Sequence, residues 1–303
     1  MNSFDINRFG RTLRWVVSVN FRKMLLWFIG SVLAVFLGEI LFKMMSPGGT
    51  PRDMLCDISQ FLVLILIVVS LIMISSIVTN INEKRKREAF LMLPSSNLEK
   101  FLSLVIYSTF ICIAVAFLAI VLGDSLRMLA YWATDYQGMA YADGSYCYST
   151  YDEVAGGQVC WWSSAIPRML YEMTPNIIDD GFAGYPTDFV IVKLAFIIGL
   201  ILLIHSTYTL GGTLLRKYSF VGTSVFMILI DTLIIRLIMA LGLTLFHTHW
   251  DNGVLQSYEI GWLAWVLAIA FPIFSVFNYW ASFHIFKAFQ LITNKWLNYD
   301  FHK

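Results

Sequence analysis

Charge is scarce in this chain. Of its 303 residues only 14% are Asp, Glu, Lys or Arg, while 58% are apolar. Soluble domains run at about 25% charged and about 45–50% apolar. The mean hydropathy is +0.69, more apolar surface than one soluble core of this length can hide, so lipid must solvate much of it. Cysteine is scarce too. Cys56, Cys112, Cys147 and Cys160 contain no CxxC pair, so neither a zinc nor a redox motif is expected. Catalytic signatures are missing: there is no GxxxxGK[ST] phosphate loop, no HExxH and no GxSxG, which excludes nucleotide hydrolysis by the first route. Gly211-Gly212 runs into Thr213 and apolar residues, unlike a phosphate cradle. His247, His249 and Asp251 have metal-ligating chemistry, but wet histidines at a helix end are the simpler account. No catalytic residue, metal, cofactor or nucleic-acid partner is expected.

What is present is a series of six apolar stretches near residues 24–44, 58–80, 101–123, 189–211, 219–246 and 260–283. Each is long enough for the roughly 20 helical residues that cross about 30 Å of hydrocarbon. The fifth is overlong, and Pro272 is expected to kink the sixth. The first begins only after Lys23 and ends without an A-x-A-like site, unlike a cleavable signal peptide. The fold class is therefore an all-α integral membrane protein with six transmembrane helices.

Basic residues set the expected orientation. Arg8, Arg11, Arg14, Arg22 and Lys23 precede the first span, and Lys84, Arg85, Lys86, Arg87 and Lys100 lie between the second and third. Arg216 and Lys217 separate the fourth from the fifth, and Lys287, Lys295 and Lys303 follow the sixth. The opposite loops carry acids, among them Asp135, Asp143, Asp152, Asp179 and Asp188. Both ends are thus expected in the cytoplasm.

Residues 1–23 are expected to form an amphipathic interfacial helix, with Ile6, Phe9, Leu13, Val16 and Val17 at helical spacing and arginines largely off that stripe. Residues 24–123 hold the first three spans with a cytoplasmic loop at 81–100. Residues 189–303 hold the last three spans and a tail. Between them, 124–188 is expected as a small extracytoplasmic domain. Its many aromatics, such as Tyr131, Trp132, Trp161 and Trp162, read as interface anchors or a small core, with a substrate-contacting surface as the alternative. Disulfides persist outside the cytoplasm. Joining Cys147 to Cys160 would close a short loop, worth about 3 kcal/mol in the chain-entropy model; two free thiols are the alternative.

Charges within spans are costly and often functional. Glu39 lies in the outer third of the first span, Lys193 near the outer start of the fourth, Asp231 at mid-depth in the fifth and Arg236 further out. Their depths allow Glu39 to pair with Arg236 or Lys193; separate snorkelling is the alternative.

The 81–100 loop is the most informative segment. A charged run from Glu83 to Glu88 turns into a short apolar helix, Ala89 to Leu93, stopped by Pro94. Ser96 and Glu99 then form an S-x-x-E capping box opening the third span. A short apolar helix held between two spans suits docking in a partner's groove, with Phe90, Leu91 and Leu93 as anchors and Glu83 with the basic run at the rim.

Glu83 or Glu88, Leu91, Leu93, Pro94, Ser95, Glu99 and Lys100 resemble the cytoplasmic-loop pattern of permease subunits in the type-2 (exporter) ABC transporter family. The run Leu-Pro-Ser-Ser-Asn-Leu-Glu-Lys-Phe-Leu is similar to such permeases from Bacteroidetes-like bacteria, as is Leu210 to Phe220 between the fourth and fifth spans. The Gly-Thr common after the first Glu is absent here, and the largest outer loop follows the third span instead of a later one. The resemblance implies a bacterial inner-membrane permease that forms a homo- or heterodimeric pathway with a second permease subunit. A separate ABC ATP-binding subunit would drive it, with the 83–95 segment as coupling helix. A membrane accessory or anchor protein that transports nothing is the rival reading.

Overall fold

A long helix without proline opens the fold. In the computed structural model α1 runs unbroken from Ile6 to Met45. The structure describes residues 4–45, 51–78, 81, 83–133, 147–152, 157–160, 163–173, 187–215, 217–251 and 254–288. Forty helical residues measure about 60 Å, twice the hydrocarbon thickness. The expected interfacial helix and first span are therefore one element, because no helix breaker separates Arg22 from Met24. The rest of the order is α2 (Pro51–Ser75), α3 (Lys84–Leu91), α4 (Asn97–Ile106), a π-helical turn (Tyr107–Ile111) and α5 (Cys112–Ala133). Then come β1 (Cys147–Asp152), β2 (Gly157–Cys160), α6 (Ile166–Met173), α7 (Thr187–Leu214), α8 (Ser219–Ala240), β3 (Phe246–Asp251), β4 (Val254–Ile260) and α9 (Trp262–Lys287).

Among the described residues six helical stretches are long and apolar enough to cross a membrane: Ile6–Leu41, Met54–Ser75, Asn97–Ala133, Thr187–Leu214, Ser219–Ala240 and Trp262–Lys287. The chain is a multi-pass α-helical membrane protein. Two further boundaries differ from expectation. The third stretch continues through α5 to Ala133, since residues 124–133 contain neither Gly nor Pro, so its start at 124 is helix and not loop. The fifth ends at Ala240. Gly242 there takes φ +61, its amide donates to Met239 O at 3.1 Å, and Leu243 N donates to Ile238 O at 3.1 Å. This is a Schellman closure, which glycine permits without a Cβ clash. The fold is also not purely helical, because β1 pairs antiparallel with β2 and β3 with β4.

The chain divides into two compact units. The first comprises Met1–Val19, Leu71–Thr109 and Asn176–Lys303, the second Asn20–Ser70 and Phe110–Pro175. In the first, α7 packs along α9, where Gly199 meets Phe271 and Pro272, and Val192, Ala264 and Ala268 are buried. Helix α9 carries Pro272 within it. Gly212 of α7 lies against the end of α2, where an added Cβ would sit 2.5 Å from Ser75 O. The Gly-Gly pair thus serves close helix packing, the usual role of small residues between membrane helices. The second unit buries Val35, Leu55, Ile58, Leu62, Ala116 and Ile120 together with Ala165 and Met169 from the segment around α6.

Candidate functional site

In the first unit, α3 forms from the charged run itself and ends at Leu91, earlier than the Leu93 boundary expected. Glu83 is its extended N-cap residue and Met92 its C-cap residue. One face turns inward, with Arg87 at 2% and Phe90 at 0% exposure. The Phe90 ring lies 5.7 Å from Trp15 and 6.3 Å, edge-on, from Phe286, and Lys100 Nζ stands 6.0 Å above it. Phe101 continues the aromatic layer, 5.5 Å from both Phe283 and Phe286. Lys100 Nζ donates to Leu91 O at 2.9 Å. That carbonyl is an orphan at the helix end, where a cation is favourable.

The capping box is present, since Glu99 N donates to Ser96 Oγ at 3.2 Å and Ser96 N to Glu99 Oε2 at 2.8 Å. Glu99 does more than cap. Its Oε1 accepts from Asp5 N at 2.8 Å and from Arg8 Nη2 at 3.1 Å. The start of α1 is thereby tied to the start of α4. Asp5 is in turn the N-cap of α1, its Oδ1 accepting from Asn7 N at 2.8 Å and Arg8 N at 3.3 Å. Those amides, Asn7's above all, hold the Asp5 carboxyl below its ordinary value. Part of the apolar stripe of α1 faces this protein surface, with Val16 fully buried and Trp15 against Phe90, while Ile6 is exposed.

The opposite face of α3 is exposed. Arg85, Ala89 and Met92 lie one and two turns apart on it, and Met92 is 85% exposed. Phe90, expected to bury in a partner, instead fills the chain's own core. Leu91, Leu93 and Glu88 are half-buried, Pro94 is exposed, and exposed Glu83 pairs with Lys86 at 3.1 Å. The side chain of Lys84 lies outside the described residues.

The second unit holds a buried charge triad. Arg127 Nε stands 2.7 Å from Glu39 Oε2, and Arg127 Nη2 lies 2.6 Å from both Asp124 Oδ1 and Ser163 O. Asp124 also accepts from Ser164 Oγ at 2.6 Å and Ala165 N at 3.2 Å, which fastens the segment leading into α6 onto α5. Glu39, Asp124 and Arg127 are each at most 1% exposed, and among the described residues Glu39 Oε1 has no hydrogen-bond partner. Glu39, expected to pair with Arg236 or Lys193, pairs with Arg127 of its own unit. Arg127 lies beyond the expected end of the third span at residue 123; its i,i+3 spacing from Asp124 on an unbroken helical pattern is the readable signal. Lys193 sits half-buried, 6.0 Å over Phe189, while Asp231 and Arg236 are exposed.

A third polar set belongs to the first unit. His205 Nε2 meets Thr109 Oγ1 at 2.8 Å, and its Nδ1 meets Tyr279 OH at 2.5 Å. Asn278 donates to Ser206 and Thr207 nearby. Thr109 lies in the π-helical turn, which offsets the following helix by one residue. Among the described residues no group of three or more His, Cys, Asp or Glu is placed to hold a metal. The side chains of His247, His249 and Asp251 on β3 lie outside the described residues, as do those of Cys147 and Cys160, whose backbones pair directly across β1 and β2. No protein-family model, curated protein or solved structure matches the chain.

Proposed function

We propose that this chain is the membrane-spanning permease subunit of an ABC exporter in the bacterial inner membrane, with both termini cytoplasmic. It pairs with a second permease subunit and is driven by a separate ATP-binding subunit. The observation that carries this reading is the locking of α3. Phe90 is wedged between Trp15 and Phe286, and Lys100 holds the Leu91 carbonyl. A short helix fastened at once to α1, α4 and α9 transmits a push to three spans, where a free loop would absorb it. Its outward face of Arg85, Ala89 and Met92 is the surface an ATP-binding subunit would grip. The reading also rests on the resemblance of the 83–100 segment to coupling loops.

The test is co-purification with an ABC-type ATP-binding subunit from the same genome, together with its stimulated ATP hydrolysis. Burying a methionine side chain is worth about 1.5–3 kcal/mol. Met92→Asp is therefore expected to weaken the complex by about tenfold or more while the melting temperature holds. Phe90→Ala should instead destabilise the permease itself. Wild-type protein that recruits no such subunit sinks the transporter reading in favour of an accessory protein.

A further inference from the structure

Helix α8 is built differently from its neighbours. Only Ser219 and Thr223 are buried, both near its start. There Ser219 Oγ donates to Ser75 O, Tyr208 OH meets Ser224 Oγ, and Thr223 lies against Gly211. Beyond Ser224 nearly every side chain is exposed. Lipid is an adequate solvent for the Val, Ile, Leu and Phe of this stretch. It is a poor solvent for Asp231 and Arg236, which are exposed on the same membrane-spanning helix and make no hydrogen bond or ion pair among the described residues. Asp231 lies near the middle of Ser219–Ala240, too far from either end for a short carboxylate to reach headgroups.

We propose that α8 is the contact helix between two copies of this chain, with Asp231 of each copy paired to Arg236 of the other. The two residues cannot satisfy each other within one helix, because five residues place them about 140° apart around it. Lys193 is already engaged over Phe189. A second copy inserts in the same direction, so the two α8 helices lie side by side at matched depth. A two-fold axis along the membrane normal then makes the contact self-complementary and yields two identical ion pairs. The axial offset between Asp231 and Arg236 is about 7.5 Å. Side chains on a helix lean toward its N-terminus, so Arg236 leans toward the level of the opposing Asp231 and its long stem closes the gap. This deepens the two-subunit part of the reading above and rests on that part alone.

The charges themselves supply the test. Two differently tagged copies are co-expressed, extracted in mild detergent and captured through one tag, and the yield of the copy carrying the other tag is compared across variants. In Asp231→Arg the interface would hold only bases, and in Arg236→Asp only acids. Each single variant is expected to lose self-association by about tenfold or more, as like charges at an interface cost several kcal/mol. Mixing the two restores both ion pairs, so an Asp231→Arg copy should recover an Arg236→Asp copy to within about threefold of wild type. That recovery also shows that both variants fold. The double variant Asp231→Arg with Arg236→Asp should pair with itself equally well. Single variants that self-associate like wild type overturn the proposal. So does loss in both singles with no recovery in either the mixture or the double variant, and so does wild-type protein that is monomeric or pairs only with a different chain. Copies that pair through these charges but recruit no ATP-binding subunit leave this contact standing while the transport reading falls.

Discussion

Glu39 and Arg127 form a fully buried ion pair, Oε2 to Nε at 2.7 Å, in which one guanidinium also serves Asp124. Two carboxylates thus depend on a single base where water does not reach. Removing one partner of a buried pair costs about 3–5 kcal/mol, because the uncompensated charge is the expensive state. Arg127→Ala is expected to lose that much and to release the 163–165 segment that Asp124 and Arg127 hold. Glu39→Gln keeps the shape and one carboxylate, so its loss should be smaller. Thermal unfolding of the detergent-solubilised variants ranks them. Equal losses at Arg127 and Glu39 would refute the shared-base account.

Cys147 and Cys160 are expected to be joined in the native membrane. They are register partners across β1 and β2. Opposed residues in an antiparallel pair have Cα atoms about 4.5–5.5 Å apart, inside the range of about 4.4–6.8 Å that a disulfide spans. Non-reducing peptide mass spectrometry should recover the linked pair. Alkylation of both thiols before any reductant is added is the contrary result.

Glycine substitutions separate packing from helix propensity. An added methyl at Gly212 would stand 2.5 Å from Ser75 O, a backbone atom, so the helices themselves would have to shift. Gly212→Ala should cost about 1–3 kcal/mol. At Gly10 nothing lies within 4 Å, so Gly10→Ala should stabilise α1 by up to about 1 kcal/mol. Opposite shifts in melting temperature are the expected pattern.

The start of α1 should respond to acid. The amide hydrogen bonds from Asn7 and Arg8 depress the Asp5 carboxyl below the ordinary value of 3.8. A depressed acid contributes stability above its unfolded value and loses it as pH falls through the folded one. Hydrogen exchange at Asn7 and Arg8, measured in nanodiscs, should therefore accelerate below about pH 3.8, beyond its intrinsic pH dependence. Asp5→Asn keeps an accepting oxygen but does not titrate in this range, so it should remove the effect. An unchanged acid response in that variant would place the cause elsewhere.

Local signals were legible in the residues alone. The number of long apolar helices follows from the cost of leaving apolar runs in water. The Ser96–Glu99 box follows from a cap that needs only four consecutive residues, and the stop at Pro94 is equally local. Partners were not legible. Glu39 found Arg127 within its own unit, and Phe90 turned inward to Trp15 and Phe286 instead of outward, because which helices lie side by side is decided by packing between distant segments. Depth along a span is written in the sequence, since each residue advances the helix by a fixed rise. Direction around the bundle is not, because it depends on which faces find close-fitting neighbours such as Gly212 against Ser75. The same division explains α8. Its length and its two charges are properties of the chain, but only the tertiary structure, by covering Ser219 and Thr223 and little beyond, left Asp231 and Arg236 facing outward.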